Sequence, residues 1–244
     1  MKTPRLFVDQ SLQIHGLIEL DRDASKYMTR VLRRTTGDTL TLFNGDGMDY
    51  PATLTETTGK TAQVIINDSQ PNQTQSPLAI TLVQSLAKGM KLDLVIQKAT
   101  ELGVARISPV SSDRSVLQLE DKRVDNRMEH WRGVAISACT QCNRSVLPSI
   151  DRPITFEQWL ADSSDINNKF LLHPTATVSL TSVPAPRTEC SVIVGPEGGF
   201  SADEIAHAAA NGIMPVSCGP RVLRTETAGF TALAILQSRF GDLN

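Results

Sequence analysis

The sequence predicts an α/β protein in which a small antiparallel β-barrel domain precedes a larger domain with a mostly parallel sheet covered by helices. Short runs of alternating apolar residues fill the first 66 residues, and glycine-containing turns separate them. Beyond residue 77, strand-like and helix-like segments alternate, which is typical of βαβ units. Between them, Asn67 to Pro77 is polar with two prolines, as interdomain linkers are. We therefore expect a first domain at 1–70, a linker at 71–77 and a second domain at 78–244.

Composition restricts the class of protein. The chain has 244 residues, 40% of them hydrophobic, which is ample for a packed core. Its formal net charge is −2 and its pI is near 6.1, so any contact with nucleic acid must come from a local basic patch. The N-terminus lacks the apolar core of a signal peptide, and no stretch reaches the length of a membrane span. We expect a cytoplasmic protein without a membrane partner.

The first domain combines short strands with one helical pattern. The expected strands are Thr39 to Phe43, Tyr50 to Thr55 and Thr61 to Ile66. The helical pattern spans Asp23 to Arg34, and its apolar side holds Ala24, Tyr27, Met28 and Val31. The opposite side carries four cations: Lys26, Arg30, Arg33 and Arg34. This basic stripe is either a solvated face or a surface that follows RNA phosphates, and the pattern favours neither.

The second domain begins with a βαβ unit. We expect strand Leu78 to Leu86, helix Lys91 to Leu102, a stop at Gly103 and strand Arg106 to Val110. The elements expected after it are helix Val124 to Cys142, a short helix near Phe156 to Leu160, and strand Lys169 to Leu172. Ligands of parallel sheets bind beyond the carboxyl ends of the strands, so the loops there are the candidate site.

Cysteine spacing argues against a metal centre. Cys139 and Cys142 form one Cys-x-x-Cys, while Cys190 and Cys218 have neither a matching pair nor a histidine at ligand spacing. Because Cys139 and Cys142 fall within a helical apolar pattern, buried reduced thiols are favoured over redox chemistry.

Two glycine turns follow predicted strands near the C-terminus. After Ser191 to Val194 comes Gly-Pro-Glu-Gly-Gly, and Ser201 with Glu204 then forms a capping box that starts a helix. After Ile213 to Ser217, Gly219 and Pro220 break the strand before a helix from Thr225 to Arg239. Glycines allow a ligand to approach the backbone closely, so the pair of turns indicates a cofactor held by main-chain groups. The motifs of dehydrogenases, P-loop proteins and serine esterases are absent from the sequence.

The residues of these turns resemble the RsmE family of SPOUT methyltransferases. The resemblance rests on Gly195 to Ser201 and Gly219 to Ala228, and it extends over almost the whole chain through further blocks in the family's order. Those blocks are Pro4 to Val8, Val31 to Arg33, Gly37 and Asp38, Gln97 to Gly103, Ser112 to Ser115, Ala138 to Arg144, and Leu172 to Pro174. The departure is Ser217-Cys218 before Gly219, where family members more often carry a leucine.

The resemblance implies methylation of N3 of a specific uridine in 16S ribosomal RNA of the small ribosomal subunit, with S-adenosylmethionine as the methyl donor and no metal. It also implies a PUA-like RNA-binding barrel, a homodimer, and a SPOUT-type trefoil knot in place of the doubly wound sheet that the strand pattern alone indicates. Knots are rare by general folding rules, and here the resemblance outweighs them. Carried over block by block, the implied cofactor-binding residues are Leu172, His173, Gly195, Glu197, Gly199, Ser217, Cys218, Gly219 and Leu223.

The resemblance further implies that the polar groups facing RNA and the target base are Arg114, Arg144, Arg221, Arg224 and Glu226. A guanidinium stabilises the charge that develops on the uracil oxygens as the imide ionises, and Arg224 is the first candidate for this role and Arg144 the second. Glu226 is a candidate base, although capping of a helix is an equal alternative. Two other functions stay open: a SPOUT enzyme acting on transfer RNA or on ribose 2′-hydroxyls, and a non-catalytic RNA-binding protein of ribosome assembly.

Overall fold

The computed structural model describes residues 3–57, 61–86, 92–115, 121–163 and 167–243. The chain forms two compact units: Met1–Gln75 with Cys139–Leu147, and Ser76–Ala138 with Pro148–Asn244. The division at Gln75 falls within the expected linker. The assignment of Cys139–Leu147 to the first unit differs from the continuous second domain expected, because contacts distant in sequence, rather than composition, place this segment.

The first unit contains a six-stranded sheet. Its strands are β1 Arg5–Phe7, β2 Leu17–Glu19, β3 Thr39–Phe43, β4 Met48–Thr57, β5 Ala62–Ile66 and β6 Gln70–Pro71. The order is β1-β3-β4-β5-β2 with β6 beside β4, and the pairs are antiparallel except for the parallel pair β1 and β3. The alternation expected from the sequence is confirmed, since Leu40, Leu42, Val64 and Ile66 are buried in one core. Closure of the sheet into a barrel stays a prediction.

The helical pattern of the first unit is present but its faces differ from expectation. Helix α1 spans Arg22–Lys26 and continues as a π-helical turn at Tyr27–Val31. Met28 is buried, as expected, whereas Tyr27 and Val31 are 43% and 67% exposed. The expectation that all three face the core was wrong, because the wider π turn departs from the 3.6-residue period on which it was based.

The second unit contains a seven-stranded sheet and five helices among its described residues. The strands are β7 Ala79–Ser85, β8 Arg106–Ser111, β9 Ser149–Ile150, β10 Ile154–Thr155, β11 Lys169–Leu172, β12 Glu189–Val194 and β13 Met214–Val216. The helices are α2 Leu92–Glu101, α3 Asp121–Cys142, α4 Phe156–Asp162, α5 Ala202–Ala210 and α6 Thr225–Phe240, and the last turn of α3, from Cys139, belongs to the first unit. The order is β10-β8-β7-β12-β11-β13 with β9 beside β8, and every pair is parallel.

Apolar periodicity explains how these helices pack. Helix α2 buries Leu92, Val95, Ile96 and Ala99, the face expected from the sequence, and Gly103 follows its end at a φ of 80°. Helix α6 packs against α2, β7 and β12. Within the described ranges, no helix is long and apolar enough to cross a membrane. Helix α4 packs against β8 and β10, and the carboxyl edge of the sheet carries the loops of interest.

Candidate active site

Three loops meet at the carboxyl edge of the sheet. Because β11 lies between β12 and β13 and all three are parallel, the loops that follow them emerge side by side. These loops are Leu172 to Pro174, Gly195 to Phe200, and Cys218 to Arg224, and together they line a cavity of about 560 Å³. The structure therefore brings together the two glycine turns singled out in the sequence.

The turn after β12 is tight and open to a ligand. The amide N of Gly199 donates to the carbonyl of Pro196 over 2.9 Å, and Gly199 has a φ of 69°, a conformation that favours glycine. A Cβ at position 199 would meet nothing within 4 Å, so the backbone there is accessible, whereas a Cβ on Gly195 would lie 3.0 Å from the ring of Phe200. That ring stacks on Phe156 at 4.6 Å and anchors the turn in the core.

The capping box predicted for α5 is confirmed, and both of its residues also bond to Asp113. Ser201 Oγ accepts from the amide of Glu204 at 3.2 Å, and Glu204 Oε2 accepts from the amide of Ser201 at 2.7 Å. In addition, Ser201 Oγ donates to Asp113 Oδ2 at 2.7 Å, while Glu204 Oε1 accepts from the amide of Asp113 at 3.0 Å. The cap therefore ties the loop after β8 to the glycine turn.

Arg114 completes this link. Its Nη1 donates to the carbonyl of Gly198 at 2.6 Å, and a Cβ at position 198 would lie 3.4 Å from its Cδ. The side chain thus packs against the turn and lines the cavity. Arg114 was expected to face RNA, and the structure gives its guanidinium a contact within the protein as well.

Backbone hydrogen bonds to the segment from Val178 to Leu180 hold the start of the loop after β13. The amide of Ser217 donates to Val178 and its carbonyl accepts from Leu180, both at 2.9 Å. Gly219 then has a φ of 102°, with nothing within 4 Å of a Cβ placed there. Arg224 occupies the N-cap position of α6, with no side-chain cap hydrogen bond. A guanidinium has no acceptor for the helix amides, and Arg224 is an exposed residue that lines the cavity.

Comparison with known proteins identifies the family. The model of an RNA methyltransferase domain matches residues 74–237, and that of an RNA methyltransferase PUA domain matches residues 20–67. The chain is 34% identical over 243 residues to the ribosomal RNA small subunit methyltransferase E of Buchnera aphidicola subsp. Schizaphis graminum, with 100% of this chain and 99% of that protein covered. The chain belongs to the ribosomal RNA small subunit methyltransferase E (RsmE) family.

Solved structures agree with this membership. A ribosomal RNA small subunit methyltransferase E from Neisseria gonorrhoeae, bound to S-adenosylmethionine, is 32% identical with a TM-score of 0.92. A methyltransferase from Legionella pneumophila, in complex with the bound cofactor SAM, is 36% identical with a TM-score of 0.93. Each comparison covers 100% of both chains. The fold is that of an α/β methyltransferase with a PUA-like domain, and the protein is an RNA methyltransferase.

Most of the site residues implied by the RsmE resemblance line the cavity. From the cofactor set these are Leu172, His173, Gly195, Glu197, Gly199, Cys218, Gly219 and Leu223, and from the RNA and catalytic sets Arg114, Arg221 and Arg224. Ser217 is not among the lining residues, and both of its backbone groups bond to the segment from Val178 to Leu180. Glu226 lies in the first turn of α6, where its Oε2 accepts from Thr225 Oγ1 at 3.2 Å.

The named cofactor and RNA sets left out several lining residues, some of which lie in the loops that the sequence had already singled out. The set includes Pro174, Val194, Pro196, Gly198, Phe200, Val222, Thr225 and Ala228. Gly198 and Pro196 belong to the turn already singled out, so their place in the motif was an available signal. Ala228 lies one helical turn beyond Arg224, and helical periodicity would have found it.

The second candidate for the catalytic guanidinium has a different environment. Arg144 lies in the first unit, is 3% exposed, and donates from Nη2 to Gln75 Oε1 at 3.2 Å. Its carbonyl accepts from Arg5 at 3.3 Å. These contacts give Arg144 a structural role in its own unit.

The cysteines of the RsmE chain are free thiols. Burial raises the pKa of Cys139 to about 12, although the nearby Arg144 acts in the opposite direction. Burial likewise raises the pKa of Cys218, which lines the cavity. In the part of the chain that the structure describes, no group of three or more histidine, cysteine or carboxylate side chains is arranged to hold a metal ion.

Proposed function

We propose that this RsmE family member transfers a methyl group from S-adenosylmethionine to N3 of a specific uridine in 16S ribosomal RNA of the small ribosomal subunit. The observation that carries the proposal is the cavity where the loops after β11, β12 and β13 meet. Its lining includes the glycines of both turns together with Arg114, Arg221 and Arg224. The names of the full-length relatives supply the ribosomal substrate.

The residues of the cavity fit S-adenosylmethionine. A volume of about 560 Å³ lies in the usual range of small-molecule sites. Leu172, Val194 and Leu223 offer apolar surface, and Glu197 offers a carboxylate to the positive charge of the ligand. The open backbone at Gly199 and Gly219 offers polar main-chain groups to an adenine ring or an amino acid. The residues proposed to hold the donor are Leu172, His173, Gly195, Glu197, Gly199, Ser217, Cys218, Gly219 and Leu223.

When bound, S-adenosylmethionine supplies a methyl group already activated by its sulfonium. The protein must then orient the base and stabilise the charge that appears as the uracil imide loses its proton. Arg224 lines the cavity, and its planar guanidinium offers paired donors to the uracil oxygens. Glu226, in the first turn of α6, is the proposed proton acceptor. Arg144 remains the second candidate for charge stabilisation.

RNA contacts are proposed on two surfaces, one in each unit. In the first unit these are the cations Lys26, Arg30, Arg33 and Arg34, and in the second Arg114 and Arg221. Phosphate contacts supply affinity, while a splayed base gives specificity. Arg34 also pairs with Asp38 at 3.7 Å, so its contribution to RNA affinity should be smaller than that of Arg33.

Three structural features and a cellular location belong to the same proposal. We place a trefoil knot in the second unit, supported by β11 lying between β12 and β13 and by the backbone bonds that fix Val178 and Leu180 beside Ser217. A closed barrel in the first unit, a homodimer and residence in the cytoplasm with ribosomal subunits complete it.

The test uses small ribosomal subunits lacking the modification. They are incubated with methyl-labelled donor, and the product nucleoside is identified by mass spectrometry. We expect 3-methyluridine at one position. Transfer RNA is tested in a parallel reaction. A 2′-O-methylated nucleoside would replace N3 by the ribose hydroxyl as the methylated group, label in transfer RNA alone would replace this substrate by another RNA, and absence of donor binding by calorimetry would leave a non-catalytic RNA-binding protein.

A further inference from the structure

The π-helical turn of the first unit exposes two residues that sequence periodicity places in the core. Tyr27 is 43% exposed and Val31 is 67% exposed, while Met28 between them is fully buried. The amide of Leu32 bonds to the carbonyl of Tyr27, five residues back, at 2.9 Å, which defines the wider turn. The turn therefore places an aromatic and an aliphatic side chain one turn apart on the surface.

Backbone geometry at this turn is also unusual. Arg33 has a φ of 52°, a left-handed conformation that costs free energy in a residue with a Cβ. π turns and positive-φ residues other than glycine both occur preferentially at functional sites. From the same segment, Met28 and Leu32 pack in the core of the unit.

The charges around Tyr27 indicate the chemistry of a partner. Lys26 precedes Tyr27 with a side chain 40% exposed, and Arg30 and Arg33 are exposed on the same segment. Acids also lie in this region: Asp23 is 3.5 Å from Lys26, and Asp9, Glu19 and Asp21 line one cavity with Lys26 and Arg30. The segment from Lys26 to Arg34 itself carries four cations and no acid. An exposed aromatic ring among cations suits a polyanion with flat apolar groups, which describes single-stranded RNA.

We propose that Tyr27, supported by Val31, is a stacking platform for an unpaired RNA base, with Lys26, Arg30 and Arg33 contacting the adjoining phosphates. The proposal deepens the proposed function, since it rests on RNA being the substrate. It differs from the phosphate contacts named above, because stacking recognises unpaired bases and adds affinity that salt does not remove.

The test measures binding of a fluorescein-labelled single-stranded RNA of about 12 nucleotides, a length within the usual site sizes, by anisotropy. Tyr27→Ala should weaken binding about tenfold, and Tyr27→Phe should keep wild-type affinity, because phenylalanine retains the ring. The matched control is Ile14→Ala: Ile14 is 49% exposed in the same unit but lies outside the turn. Its affinity should equal that of wild type.

Salt dependence separates stacking from charge. The slope of log affinity against log salt should be the same for Tyr27→Ala and wild type, whereas Arg33→Gln should reduce its magnitude by about 1. With a duplex RNA of the same sequence, wild type and Tyr27→Ala should bind equally, because paired bases are unavailable for stacking.

Equal affinity of wild type and Tyr27→Ala for the single strand would overturn the proposal, as would absence of RNA binding by wild type. A change from dimer to monomer in Tyr27→Ala with unchanged RNA affinity would also overturn it, because the surface would then belong to a second copy of the chain. The proposed function fails separately, through the product nucleoside and donor binding, and neither measurement depends on Tyr27.

Discussion

Nη1 of Arg114 donates a 2.6 Å hydrogen bond to the carbonyl of Gly198, which joins the loop after β8 to the glycine turn after β12. Asp113, the preceding residue, binds both members of the capping box that begins α5. The side chains of Arg114 and Asp113 and the backbone amide of Asp113 therefore fix the turn from outside, in addition to the Phe200 ring that anchors it from within. Backbone that is held in this way binds a ligand with little further loss of entropy.

Replacement of Arg114 tests the clamp, by which we mean the hydrogen bond and packing of Arg114 on Gly198. Arg114→Met keeps the aliphatic stem but removes the donor, so the affinity for S-adenosylmethionine should fall about fivefold to tenfold, in line with a loss of about 1 kcal/mol. Isothermal calorimetry measures this. Arg187→Met, at an exposed arginine outside the cavity lining, should bind as wild type. Unchanged donor affinity in Arg114→Met would show that the clamp does not shape the cofactor site.

The capping box of α5 also bonds to Asp113, so it should link the free energy of unfolding to the binding of S-adenosylmethionine. Ser201→Ala should lower the free energy of unfolding by about 1 kcal/mol and should also weaken donor binding, because Ser201 holds both α5 and Asp113. Thr155→Ala removes the equivalent capping box of α4 and should cost similar stability without changing donor affinity. Urea denaturation and calorimetry give the two quantities. Equal effects of both variants on donor affinity would contradict this coupling.

Arg224 should act on the chemical step. Arg224→Ala should lower kcat by about a hundredfold or more, as expected when a donor to a developing oxyanion is lost. Donor affinity should change far less, since we propose that main-chain groups supply most of the contacts to S-adenosylmethionine. Single-turnover methylation of small subunits measures the rate, with Arg187→Ala as the control. Full methyl transfer with normal RNA affinity in Arg224→Ala would exclude this role.

Asp49 should make the first unit sensitive to acid. Burial alone would raise the pKa of Asp49, but hydrogen bonds from Ser145, Asn72 and Arg5 outweigh it and lower the pKa below its ordinary value. A carboxylate with a lowered pKa stabilises the fold above its unfolded pKa, near 4, and this contribution disappears as pH falls towards the folded value.

Asp49→Asn should therefore cost about 1 to 2 kcal/mol of unfolding free energy at pH 7, and the difference from wild type should shrink below about pH 4. Denaturation across pH 3 to 7 checks this range. Glu56→Gln, at an exposed position of β4, is the charge control and should show no such trend. A difference that stayed constant down to pH 3 would show that Asp49 acts through packing rather than charge.

Local sequence signals predicted most elements of the second unit. Periodicity gave the buried face of α2, and the pairing of Ser201 with Glu204 gave the start of α5. These predictions are confirmed because each depends on residues within one or two turns of each other. The π turn was not predicted, because its wider turn breaks the 3.6-residue period that placed Tyr27 on the apolar side of the helix.

The sequence by itself determined the two glycine turns, the helix caps and the alternation of strands and helices, since these follow from backbone preferences and short-range hydrogen bonds. Only the tertiary structure decided which loops meet, because the order β12-β11-β13 sets their positions and is not written in any local pattern. It likewise placed Arg114 on Gly198, 84 residues away, and left Arg144 buried in the first unit. These positions depend on how segments distant in sequence pack together, and no single stretch of sequence predicts that packing.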